Sequence, residues 1–236
     1  MYVTECPYCG QRVRKRAPKL ERGESDAPPR RRRRPPSLSR LRRDEIPGIA
    51  PETRPYATGV LILAALVATI TAVAGIDEID LGAITPFDTE PWRWLAYSFV
   101  STTPAAPFAD VGALFATLVA VGIFGTMIER RFGVVAVVAI FLIGAAAGGA
   151  LTVGLDVYPA LGANGAAFAL LAAWYVDDRL AARRGDDRGN DLLGVAVIAG
   201  VLLLLPLANL KVSWAAGLGG VAAGAVLGAM ISPLRR

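Results

Sequence analysis

Apolar residues run in six blocks, at 57–76, 111–128, 134–155, 160–176, 192–210 and 212–231, with a long break after the first and short polar breaks between the others. Each is close to the roughly 20 residues that carry a helix across a bilayer. The pattern predicts an all-α, polytopic membrane protein, a bundle of six transmembrane helices over residues 56–236. Ahead of it, residues 1–55 are rich in Arg, Pro, Glu and Ser, with an arginine run at 30–34 flanked by Pro28, Pro29, Pro35 and Pro36. A segment of that kind cannot bury a core. Residues 16–55 are therefore expected to be a disordered basic tail, and residues 1–15 a small knuckle built around Cys6-Pro7-Tyr8-Cys9-Gly10.

Charge placement supplies a topology. Arg40, Arg42, Arg43 and Arg54 precede the first block, Arg130 and Arg131 follow the second, Arg179, Arg183, Arg184 and Arg188 follow the fourth, and Arg235 and Arg236 follow the sixth. The alternate connections carry Asp77, Glu78, Asp80, Asp88 and Glu90 with a single Arg93, then Asp156, then Lys211. Arginine-rich flanks stay in the cytoplasm during insertion, so a multi-pass cell-membrane protein with both termini cytoplasmic is expected. The opening MYVTECPYCG lacks the pattern of a secretory signal, leaving insertion to the first membrane helix. The arginine run suits contact with lipid headgroups; nucleic acid is not an expected partner.

Composition narrows the chemistry. Hydrophobic residues make up 54% of the 236, and there is no histidine, which removes the usual general base and the commonest nitrogen ligand for metals. The two cysteines resemble half of a zinc ribbon. Structural zinc wants four ligands, so a site at Cys6 and Cys9 would have to be shared with a second chain, as in a homodimer, or with a partner's cysteines. No cofactor is otherwise required. Heavy use of Arg over Lys, with abundant Ala, Gly and Val, suits a GC-rich prokaryotic genome.

Glycine concentrates where helices would have to approach closely: Gly144, Gly148 and Gly149, then Gly162 and Gly165, then Gly217, Gly220, Gly224 and Gly228. Four ordered patterns stand out. They are Trp92-Arg93 in a long first outer loop, Glu129-Arg130-Arg131-Phe132-Gly133 after the second block, Gly162-Ala163-Asn164-Gly165 opening the fourth, and Ala216-Gly217-Leu218-Gly219-Gly220 in the sixth. Together they resemble the rhomboid family of intramembrane serine proteases (peptidase S54-like) over about 180 residues.

The resemblance places the family's serine nucleophile at Asn164 and its histidine base at Gly217. Its oxyanion-stabilising pair on the second helix falls on Ala113 and Thr117. All four positions depart from the family pattern, while the scaffold glycines remain. The resemblance implies a catalytically inactive pseudoprotease that binds transmembrane segments of client proteins, with Trp92, Arg93, Gly162, Gly165, Gly220 and Gly224 as candidate binding positions. Two other readings stand beside it: an intramembrane endopeptidase with a reassigned active site, and a structural or assembly protein that recruits partners through its N-terminal tail.

Single residues carry more than one reading. Asn164 reads as an N-cap of the fourth membrane helix, or as a polar contact for a substrate backbone or partner helix. Gly217 reads as helix packing or as part of a lateral groove. Glu129 could pair with arginines at exposed helix ends, where such pairs contribute little. Ser213 and Lys211 are two residues apart, a spacing that does not make a dyad on a helix. Asp110 and Asp156 fall at helix ends rather than mid-bilayer.

Overall fold

Helices make up every regular element longer than a turn among the described residues of the computed structural model, which are 55–74, 92–101, 107–157, 160–185 and 192–234. All belong to the unit Pro51–Arg236. The order is α1 (Tyr56–Val73), a short α2 (Arg93–Ala96), α3 (Pro107–Phe132), α4 (Val134–Gly154), α5 (Asn164–Arg183), α6 (Leu192–Ala208) and α7 (Trp214–Ile231), closed by a 3-10 turn at Ser232–Leu234. The Cys6-Cys9 knuckle, the tail up to Arg54 and the acidic stretch from Asp77 to Glu90 lie outside the described residues.

Six of these helices coincide with the six apolar blocks. The residues from Asp110 of α3, and all of α4 and α7, are long and apolar enough to cross a membrane, whereas α1 and α6 are apolar but shorter. Helix α5 carries Asp177, Asp178 and Arg179 in its second half. Its N-terminal half is buried almost continuously, because it runs between α4 and α7 and also packs against α3.

Between α3 and α4 the chain reverses through one residue. Gly133 adopts φ 86°, a conformation that side chains other than glycine resist, and its N–H bonds Glu129 O at 2.8 Å. That accounts for the glycine at the end of the Glu-Arg-Arg-Phe-Gly pattern.

Inside lipid, helices gain nothing by hiding apolar surface from one another, so close packing of small residues has to hold them together. Helices α5 and α7 form the most extensive pair in the bundle. A Cβ added at Gly220 would strike the backbone carbonyl of Gly165, and one at Gly224 would strike that of Ala169. At Gly228 it would lie 2.6 Å from Ala173 O. Helix α4 closes in the same manner: a Cβ at Gly148 would lie 2.7 Å from Ala216 O, and one at Gly149 would lie 2.9 Å from the Cα of Trp94.

Tyr97 is wedged where α4, α5 and α7 meet. It is fully buried, and its hydroxyl donates to Ala145 O at 3.0 Å. Burial holds the phenol above its ordinary range, so it remains a neutral donor. Larger rings fill the remaining volume, with Phe124 against Trp174 at 5.6 Å and Phe99 against Phe141 at 5.4 Å between centroids.

Glu129 does not sit in an exposed ion pair. It is 5% exposed, and its carboxylate accepts from Ala57 N at 2.9 Å, Thr58 N at 2.8 Å and the Thr58 hydroxyl at 2.7 Å. It thus satisfies the first amides of α1, a helix whose N-cap residue, Pro55, offers no side-chain cap. Arg131 instead pairs with Asp177 at 3.1 Å, and Asp177 also accepts from the Ser232 hydroxyl at 3.0 Å.

Two outcomes follow from this packing. Gly224→Val should destabilise the bundle by about 1–3 kcal/mol or more through overpacking, whereas Gly200→Ala, with nothing near its Cβ position, should be neutral or stabilising by up to about 1 kcal/mol; thermal unfolding in detergent measures both. Glu129→Ala should expose the amides of Ala57 and Thr58 to hydrogen exchange while the amides of α5 and α7 keep their protection.

Candidate functional site

Gly162 turns the chain into α5. Its φ of 93° lies in glycine's region, and its N–H donates to Tyr97 O at 2.9 Å while Leu161 N donates to Lys211 O at 2.9 Å. These bonds set where α5 begins. The N-cap residue is Ala163, with no side-chain cap, and Asn164 is the first residue inside the helix. The N-cap expectation for Asn164 is therefore corrected by one residue. The Asn164 amide is 1% exposed, and neither Nδ2 nor Oδ1 has a hydrogen-bond partner among the described residues. Leaving such groups unpaired costs about 1–3 kcal/mol each.

Ser213 sets the start of α7. Its hydroxyl accepts from Ala216 N at 3.3 Å and shares a hydrogen bond with the Thr152 hydroxyl at 3.2 Å. Gly217 then falls in the first turn, facing α5. A Cβ at Gly217 would lie 3.3 Å from Asn164 Nδ2 and 3.1 Å from two ring carbons of Phe168. Residues 53 positions apart in sequence are thus brought side by side. Unlike at Gly220 and Gly224, the atoms nearest to a Cβ at Gly217 belong to side chains, not backbone.

Asn164 stands between two spaces. On one side is a pocket of about 10 Å³, lined by Ser101, Ala113, Thr117, Asn164, Asn209 and Lys211 among others. Ala113 and Thr117 therefore do converge on Asn164. The Thr117 hydroxyl is within 2.9 Å of the carbonyls of Ala113 and Leu114, so it donates into its own helix. Four buried side-chain polar atoms lack partners among the described residues, and three of them, Ser101 Oγ and both amide atoms of Asn164, belong to this place. On the other side is an apolar groove of about 310 Å³ between α5, α6 and α7.

Next to the small pocket lies a polar network that sequence reasoning missed. Asp110, 1% exposed, accepts from Asn209 Nδ2 at 2.8 Å and pairs with Lys211 Nζ at 3.3 Å, while Asn209 Oδ1 accepts from Lys211 N at 2.9 Å. It ties the start of α3 to the α6–α7 connection. The only hint in the sequence is that Asp110 and Lys211 each border an apolar block.

The remaining candidate positions are distributed differently. Trp92 is half exposed, with the Arg93 guanidinium 5.1 Å from its ring centroid, and neither lines the pocket or the groove at Asn164. Gly162 borders the small pocket. Gly165, Gly220 and Gly224 sit at the contact of α5 with α7, under backbone atoms.

The chemistry of this arrangement is limited. A carboxamide at position 164 is a poor nucleophile at neutral pH, and a glycine at 217 has no atom with which to take a proton. Ser101 Oγ has no partner among the described residues to activate it, and Lys211 is engaged with Asp110. Ser213 and Lys211 have separate partners and form no dyad. Among the described residues no group of three or more His, Cys, Asp or Glu is placed to hold a metal ion.

The fold and site define a helical membrane protein in which two close-packed helices present facing positions beside a groove. The chain matches the rhomboid domain over residues 88–234, more than half of its length, and it belongs to the rhomboid family. No curated protein matches it.

The orphaned amide makes a testable contrast. Asn164→Ala in purified protein should leave the melting temperature unchanged or raise it, because no bond inside the protein is lost. Asn209→Ala should lower stability by about 1–3 kcal/mol, because it strips Asp110 of a buried donor.

Proposed function

We propose that this rhomboid-family membrane protein is a pseudoprotease that holds transmembrane segments of client proteins without cutting them. One observation carries the reading: Asn164 and Gly217, to which the resemblance assigns the family's nucleophile and base, lie side by side in the bundle, an amide and a glycine in a chain with no histidine. The apolar groove beside them, open along α6 and α7, is the surface on which a client helix would rest. Its apolar walls suit a helix in lipid, and Gly217 among them leaves room for a backbone to approach.

In this reading all six long helices cross the cell membrane. Helices α1 and α6 cross despite being short, and α5 crosses with its charged second half at one face. The arginine-rich ends then lie in the cytoplasm, as the distribution of Arg across the connections favours.

Cleavage of a fluorescent transmembrane substrate in liposomes tests the proposal, with the natural protein compared against a variant carrying Asn164→Ser and Gly217→His together. The natural protein should show no cleavage above the protein-free rate while still crosslinking to the substrate. Cleavage by the natural protein would overturn the reading in favour of a reassigned active site. Absence of crosslinking would remove the client-holding part.

A further inference from the structure

The groove of about 310 Å³ is of the size that takes a small ligand, and its lining side chains are apolar except for the Asn164 amide and the indole N–H of Trp214. Leu203, Trp214 and Leu218 on its walls are each more than half exposed, so the groove faces outward from the bundle. In a membrane protein that direction is the hydrocarbon of the bilayer.

At the inner wall, Asn164 Nδ2 lies beside the volume that a side chain at Gly217 would fill, and it has no acceptor among the described residues. The unmet requirement is specific. An occupant must be apolar along its body, must offer an acceptor, and must reach the groove from the lipid side.

The level of that acceptor is also defined. Asn164 is the first residue of α5 and Trp214 the first of α7, beside the partly exposed Lys211. From Trp214 to Val221, both of which line the groove, α7 runs two turns, about 10 Å, toward its middle. Polar contact at the helix ends and apolar contact farther in is the order found along an acylated lipid, whose ester carbonyls sit between headgroup and chain.

We infer that the groove is a lipid site, in which the acyl chain of a bilayer lipid lies between α6 and α7 and its ester carbonyl accepts a hydrogen bond from Asn164 Nδ2. The inference rests on reading the groove as a binding surface rather than a catalytic one, and it makes lipid the competitor that a client helix has to displace. Asn164 Oδ1 is not matched by an ester, which has no donor. The adjoining pocket of about 10 Å³ is close to the size that holds one water, and Ser101 also borders it.

The test uses the full chain in dodecyl maltoside micelles, titrated with methyl decanoate and with undecane, a probe of similar size without an acceptor. The natural protein should bind the ester about 3- to 10-fold more tightly, the range that one net hydrogen bond supplies. Asn164→Leu should abolish that preference while keeping the undecane affinity. Leu203→Trp, a change at an exposed wall position, should weaken both probes.

Equal affinity of the natural protein for the two probes overturns the inference, as does an ester preference that survives Asn164→Leu or indifference of both probes to Leu203→Trp. Client crosslinking in the same preparation separates the two proposals. Ester preference without client capture leaves the lipid site standing and sinks the client reading, whereas client capture without ester preference does the reverse.

Discussion

The approach of α7 to α5 is the constraint on which the remainder of the bundle depends. Gly220, Gly224 and Gly228 bring one helix backbone against the carbonyls of Gly165, Ala169 and Ala173. Little else could serve, since lipid removes the hydrophobic drive that holds soluble helices together and leaves contact distance as the main source of attraction. The register that results puts position 217 against position 164. Tyr97 and the glycines of α4 then lock the third side, and α6, which packs only lightly on its neighbours, leaves the groove open.

A good part of this was legible in the sequence, for physical reasons that can be named. The six long helices follow from the lengths of the apolar blocks, and the seam between α5 and α7 from glycines four apart. The turn at Gly133 follows from the motif that contains it. The convergence of Asn164, Gly217, Ala113 and Thr117 was legible only through family resemblance, because residues on three helices share no local pattern.

What the sequence hid were contacts between distant polar residues. Glu129 reads as a helix-end charge next to two arginines, yet its partners are amides 71 and 72 residues away. Asp110 and Asn209 are 99 residues apart. A side chain that closes such a gap carries no periodicity, and its burial is decided by the packing of whole helices. Asn164 failed as a predicted N-cap for a smaller reason. Asn is a favoured cap in general, but Gly162 turns the chain so that Ala163 takes the cap position, and the amide is carried inside the bundle with no partner among the described residues.

The tie between Glu129 and α1 has a consequence for how the chain is organised. Most helices are begun by the residues just before them, so a change upstream alters the helix start. Here the first turn of α1 is finished by a carboxylate from α3, and Pro55 contributes no side-chain bond. The membrane domain thus writes its own N-terminal boundary from within. The bonds that finish this turn therefore form only once α1 and α3 have come together, so the first helix of the bundle depends for its start on the third.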